Sequence, residues 1–138
     1  MTTPAIAQAR PRTCRGTHLW RTGAIAGIAA SVATFATAAL ARSIDVSLEV
    51  AGKSIPLIGF AQLTFVLSIV GTVVAVVLSH RANRPRHTFV VTTVALTIVS
   101  FVPDLLADAQ TATRFALALT HVVAAAIVIP ALASRLAD

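Results

Sequence analysis

The chain has 138 residues, 57% of them hydrophobic and 12% charged, with a mean hydropathy of +0.85. Soluble domains carry about a quarter charged residues, so an ordinary water-soluble globule is excluded, and the length leaves room for one domain. Five acidic residues, one cysteine and few aromatics leave little polar material for catalysis, and the formal charge of +6 has to be explained by where the arginines sit.

Residues 1–21 form a basic tail containing Arg10, Arg12, Arg15 and Arg21. Four arginines without interleaved aromatics are too few for a specific nucleic-acid footprint, and no nucleic-acid partner is expected. The single Cys14 excludes an internal disulfide and a C-x-x-C redox centre.

Residues 22–136 read as a transmembrane domain. Charged side chains cut this region into uncharged blocks, to be compared with a hydrocarbon core about 30 Å thick that needs about 20 helical residues. Spans over about 22–41, 55–80, 88–106 and 113–134 follow. The third uncharged run ends at Pro103, and Leu105 and Leu106 complete it if Asp104 sits at the interface. The alternation of a lipid-facing barrel is missing. The fold class is therefore all-α, a four-helix transmembrane bundle.

Ala39-Leu40-Ala41 has the small-x-small form of a signal-peptidase site after an apolar run. The basic region and the apolar block before it are both longer than those of a usual signal peptide, which makes a retained first span the expectation and cleavage the alternative. Orientation follows from arginine and lysine placement, since positive residues are kept on the cytoplasmic side. Arg10, Arg12, Arg15, Arg21, Arg81, Arg84, Arg86 and Arg135 fall on one side, and only Arg42, Lys53 and Arg114 on the other. Both termini are expected in the cytoplasm, with the protein in the cell membrane and the lipid bilayer as its first partner.

Helix association in lipid relies on close packing through small residues and on hydrogen bonds. Gly23, Gly27 and Ser31 share one face of the first span, beside a second stripe of Ala30, Thr34 and Ala38. Gly71, Ala75 and Ser79 repeat the device in the second span, and Thr120 and Ala124 in the fourth. Such stripes more often pack a protein's own bundle; a homodimer through these small-residue faces is the other use. Pro56 is placed in the first turn of the second helix behind a Ser54 cap, and Pro130 inside the fourth removes the hydrogen bond to Ala126.

Between the first two spans, Ile44, Val46, Leu48 and Val50 alternate with Asp45, Ser47 and Glu49, and Ala51-Gly52 supplies a turn. Period two followed by a glycine turn reads as a short extracytoplasmic β-hairpin with an apolar face. An isolated hairpin is marginal in water, so this one must dock on the bundle.

Ionisable residues are nearly absent from the spans, and His121 is the exception. Intramembrane ionisable groups are costly to keep and are functional candidates by default. His121 lies seven residues in from Arg114 and Gln62 seven in from Ile55, which puts both about 10 Å deep on helices running the same way. The candidate polar or ligand site is therefore Gln62, Asp104, Asp108 and His121, with Gln62 bonding a neutral His121. Two uses are open: a polar pair that registers the second helix against the fourth, or a proton-responsive or ligand-holding site, because histidine titrates near neutral pH. A lone histidine makes neither a metal nor a haem site. No catalytic motif is present: G-x-S-x-G, the P-loop and the dinucleotide glycine pattern are all missing. No metal, cofactor or catalytic residue is expected.

The segments SLEVAGKSIPLIGFAQLTFV (Ser47 to Val66) and FVPDLLADAQTATRFALALTHVVAAAIVIPALASRL (Phe101 to Leu136) resemble a family of small four-span actinobacterial membrane proteins classified only as a domain of unknown function. The Gly-x-x-Ile-Pro turn and the embedded histidine are the distinctive parts. The resemblance covers about residues 20–136 and implies the four-span fold; it carries no activity or site residue. The expected role is a non-enzymatic structural or interaction component of the cell membrane. The alternative is a small transporter or ligand-binding membrane protein with its site around Gln62 and His121.

Overall fold

The computed structural model describes residues 14–137, with side chains from residue 17. Arg10 and Arg12 of the basic tail lie outside the described residues, as do the side chains of Cys14 and Arg15. In chain order the elements are α1 (Cys14–Ser43), β1 (Glu49–Val50), β2 (Lys53–Ser54), α2 (Leu57–Arg81), α3 (Pro85–Leu106) and α4 (Thr111–Ala133). The helical segments Thr17–Ser43, Leu57–Arg81, Pro85–Leu106 and Thr111–Ala133 are each long and apolar enough to cross a membrane. Even α3, the shortest at 22 residues, reaches about 33 Å at a rise of 1.5 Å per residue. The fold class is thus a four-helix bundle of membrane-spanning length carrying a small two-stranded hairpin.

The helix ends have local causes. Pro85 opens α3, where its missing N–H costs nothing, and it disfavours helical geometry at the residue before it; Arg84 accordingly sits at φ −128°. Pro56 precedes α2 in extended geometry (φ −67°, ψ 138°) and no side chain caps the helix. The expected Ser54 cap does not form, because strand pairing with Glu49 draws Ser54 into the hairpin. Its hydroxyl instead accepts from Arg42 Nη2 at 3.3 Å.

Around the bundle, α1 packs most extensively on α2 and α4, while α3 leans mainly on α4 and less on α2. Apolar side chains fill the two ends. At the end where α1 starts and α4 finishes, Leu19, Ala75, Phe89, Leu132, Ala133 and Leu136 form one cluster; at the hairpin end, Ala38, Ala41, Leu48, Phe60 and Ala116 form the other. Between them the helices meet through small residues. Ala30 and Thr34 are fully buried, and Thr34 Oγ1 lies 3.0 Å from Thr64 Oγ1 across the α1–α2 contact. Thr34 donates to the Ser31 carbonyl at 3.1 Å, so Thr64 is the donor of that interhelical bond.

Gly23 and Gly27 face α2, as small-residue packing requires: a Cβ on Gly23 would overlap Thr72, and one on Gly27 would stand 3.1 Å from Ser68 Cβ. Of the expected Gly71, Ala75, Ser79 stripe, Ala75 is fully buried in the core but Gly71 lies off the contact. A Cβ on Gly71 would meet nothing within 4 Å, and the contact runs through Thr64, Ser68, Thr72 and Ala75. The Ser68 and Thr72 hydroxyls behave as small packing groups because each bonds its own helix, Ser68 donating to the Thr64 carbonyl at 2.7 Å and Thr72 to the Ser68 carbonyl at 2.8 Å, while Thr64 bonds across to Thr34.

The hairpin is shorter than the alternating run from Ile44 to Val50. Asp45 and Leu48 adopt positive φ (62° and 49°), which breaks extended geometry before β1. Ile44 stays exposed while Leu48 is fully buried in the hairpin-end cluster. Val50 pairs with Lys53, and the two residues between them, Ala51 (φ 52°) and Gly52 (φ 73°), have the positive φ pair of a type I′ turn. Docking comes from the Ala51 N–H, which donates to the Asp108 carbonyl at 2.8 Å, and from Ser47 Oγ, 3.4 Å from Thr113 Oγ1. The hairpin therefore lies over the α3–α4 connection and inserts Leu48 into the mouth of the bundle.

Candidate functional site

An ionisable side chain at membrane depth needs a partner, and the structure places one beside His121 on the neighbouring helix. His121 Nδ1 lies 3.0 Å from Asp104 Oδ2 and also 3.0 Å from the carbonyl of Leu117, one turn back on α4. A carbonyl and a carboxylate are both acceptors, so the nitrogen between them carries the proton. The hydrogen bond of good geometry is the one to the Leu117 carbonyl, which also takes the Thr120 hydroxyl at 2.7 Å, while the buried Asp104 Oδ2 stands close to Nδ1 without an aligned donor.

Asp104 is 9% exposed and the His121 side chain keeps 28% of its surface. Phe101 stands edge-on to the imidazole, with ring centroids 6.3 Å apart and planes at 84°. Being three residues apart on α3, Phe101 and Asp104 occupy one face of that helix, and together they hold the ring from two sides. Asp104 is buried against α4, although its helix ends two residues later. It shares the level of His121, which lies seven residues, about 10 Å, along α4 from Arg114. The helix α3 continues through Pro103 and Asp104 to Leu106.

The other proposed site residues are elsewhere. Gln62 is exposed on α2 and makes no hydrogen bond to a described residue, while its neighbour Thr64 is taken up by Thr34 on α1. The Asp108 side chain is exposed, and only its carbonyl is used, by the hairpin. Of the four residues, the structure brings together Asp104 and His121. Sequence reasoning missed Phe101, whose position three residues before Asp104 was the available signal. It also missed Arg114, which shares a helical face with Leu117 and His121 and buries its Nε without a hydrogen-bond acceptor. Among the described residues no group of three or more His, Cys, Asp or Glu could hold a metal ion.

Next to the pair, toward the end where α4 finishes, a shallow groove of about 430 Å³ runs between α3 and α4, open along one side. Val94, Ile98 and Phe101 line it from α3, and Val122, Ala126 and Pro130 from α4. Its wall is almost wholly apolar, and Phe101 belongs to both the groove and the imidazole contact.

A model of a family of unknown function, DUF6069, matches residues 14–138. The chain belongs to DUF6069. The match takes in all four helices, the hairpin, and both Asp104 and His121, so the bundle and its embedded pair lie within the DUF6069 region. No curated protein and no solved structure matches the chain.

Proposed function

We propose that this protein is a non-enzymatic interaction component of the cell membrane that works through its lateral surface. The observation that carries this reading is the position of the Asp104–His121 pair. It sits on the α3–α4 seam, beside a groove open to the side, while the interior of the bundle is closed by Leu48 at one end and by Leu19, Phe89 and Leu132 at the other. A conduit would need polar groups along its axis; here the hydroxyls of Ser68, Thr72 and Thr120 are turned back onto their own helices. The hairpin end faces outward in this reading, because Arg21, Arg81, Arg84, Arg86 and Arg135 gather at the opposite end and mark it as cytoplasmic. An actinobacterial source agrees with the preference for arginine over lysine and the heavy use of alanine.

Two measurements test the reading. Liposomes containing the purified protein should admit protons and small polar solutes no faster than protein-free liposomes. A photo-crosslinking residue at Ile98, on the seam, should give a discrete adduct in the native membrane, whereas one at Ile25, exposed on α1, should give only diffuse lipid labelling. Rapid solute entry through the protein, or identical diffuse labelling from both positions, overturns it.

A further inference from the structure

At the end where α1 starts and α4 finishes, the chain gathers arginine and uses none of it internally. Arg21 lies two residues after Leu19, Arg86 three before Phe89 and Arg135 directly before Leu136, and those three apolar residues meet in one core cluster. Arg81 closes α2 and Arg84 stands immediately before α3. Only Ala82, Asn83 and Arg84 separate the two helices, so Arg81, Arg84 and Arg86 are held close together. All five arginines are exposed, and none of their guanidinium groups bonds a described residue. No described acid shares this end: Asp45, Glu49, Asp104 and Asp108 lie in or beside the hairpin and the α3–α4 connection, and Asp138 falls outside the described residues. The arginines of the hairpin end differ. Arg42 donates to the Ser54 hydroxyl at 3.3 Å and to the Ile55 carbonyl at 3.4 Å, and Arg114 buries its Nε.

We propose that this end of the bundle holds anionic phospholipid headgroups, whose phosphate oxygens supply the acceptors that Arg21, Arg81, Arg84, Arg86 and Arg135 do not find within the protein. Depth selects the lipid as the source of phosphate. Trp20, between Leu19 and Arg21, is 47% exposed, and tryptophan settles at the membrane–water interface; it therefore puts the neighbouring arginines at the level of the headgroups. The planar guanidinium fork matches two phosphate oxygens at once. Charge selects the class of lipid. A zwitterionic headgroup brings its own cation beside the phosphate and leaves the mutual repulsion of the arginines in place, whereas an anionic one neutralises it. Basic clusters flanking a membrane span attract anionic lipid in this way. The inference makes no use of the α3–α4 seam, so it stands or falls separately from the lateral reading.

The test reconstitutes the full chain in bilayers of phosphatidylcholine and phosphatidylglycerol and reads the fluorescence of Trp20, the single tryptophan. Bromines are placed on the acyl chains near the headgroup, in one lipid class or the other. Bromine quenches at short range, so the two quenching curves give the relative association of each lipid with this end. The expected result is a preference for phosphatidylglycerol of about fivefold at low salt, the contribution of one arginine at a membrane surface, declining toward unity as ionic strength rises. Arg21→Gln, and Arg84→Gln combined with Arg86→Gln, should each lower the ratio, while Lys53→Gln, exposed in the hairpin, leaves it unchanged. Should the double variant fail to fold, Arg21→Gln and the salt dependence of the unaltered protein still decide. A ratio of one at low salt overturns the proposal, as does an equal loss from Lys53→Gln, which would make net charge rather than this end responsible. Replacing chloride by inorganic phosphate at matched ionic strength should leave the ratio as it is; displacement of phosphatidylglycerol by free phosphate would overturn the lipid assignment.

Discussion

The α1–α2 contact makes a graded prediction from three glycines. In Gly23→Ala the new Cβ would fall 2.6 Å from Thr72 Cγ2 and 2.9 Å from Thr72 Cβ, as well as overlapping Thr72 Oγ1. Ordinary carbon contacts are about 3.5–4.0 Å, so the helices must part by about 1 Å or Thr72 must leave its rotamer. The second route is obstructed, since a β-branched side chain in a helix is stiff and Thr72 is bonded to the Ser68 carbonyl at 2.8 Å. Overpacking of this kind costs about 1–3 kcal/mol. Gly27→Ala should cost less, because its Cβ would stand 3.1 Å from Ser68 Cβ, and Gly71→Ala should cost nothing, with no atom within 4 Å. The assay is SDS titration of the purified protein in mixed micelles, followed by the emission of Trp20, the single tryptophan, next to the buried Leu19. Midpoints should fall in the order Gly23→Ala, Gly27→Ala, Gly71→Ala. Thr72→Ala in the Gly23→Ala background should recover part of the loss, since Cγ2 and Oγ1 are removed and Cβ remains. Equal effects at Gly23 and Gly71, or no recovery from Thr72→Ala, would refute the packing argument.

Other outcomes follow from the pair, the turn and the charges. A double-mutant cycle between Asp104→Asn and His121→Ala should show a coupling of about 1–2 kcal/mol, while Gln62→Ala stays within about 0.5 kcal/mol of the parent; a loss at Gln62 matching that at His121 would contradict the pairing. Ala51 carries a Cβ at φ 52°, and Ala51→Asn, which tolerates that geometry, should raise stability by about 0.5–1 kcal/mol in the same titration. Leu48→Ala empties the plug at the hairpin end and should cost about 2–5 kcal/mol. Reporter fusions after Arg86 and after Asp108 should read cytoplasmic and external respectively; the reverse would break the argument from arginine placement.

Much of the architecture is legible in the chain because lipid imposes simple rules. Charged residues are excluded from the hydrocarbon, and the gaps between them marked out four helices; the Gly23 and Gly27 spacing indicated where two helices approach closely. Sequence also singled out His121, since an ionisable residue inside an apolar run stands out on cost alone. Its partner was less legible. Depth along a helix can be counted from the flanking charges, but which helices are neighbours cannot, and α4 rests mainly on α1 and α3. Gln62 thus shared the level of His121 without sharing a contact, whereas Asp104 looked interfacial because its own helix ends two residues later. The α2 stripe was misread for a related reason. Thr64, Ser68 and Thr72 carry the same four-residue spacing as Gly71 and Ala75, but the Ser68 and Thr72 hydroxyls pack as small groups only because they turn back onto the helix, and Thr64 because Thr34 pairs with it. The groove on the α3–α4 seam has no sequence signature, since it arises from the separation of two apolar faces.

The site as a whole rests on His121 carrying a proton on Nδ1, hydrogen-bonded to the Leu117 carbonyl at 3.0 Å and 3.0 Å from Asp104 Oδ2. Nitrogen-15 NMR of ring-labelled histidine in lipid bilayers reads this directly, with the His121 signals assigned by their loss in His121→Ala. The account predicts a protonated Nδ1 that is hydrogen-bonded and shifts in Asp104→Asn. A proton on Nε2 with Nδ1 bare, unchanged by Asp104→Asn, would contradict it.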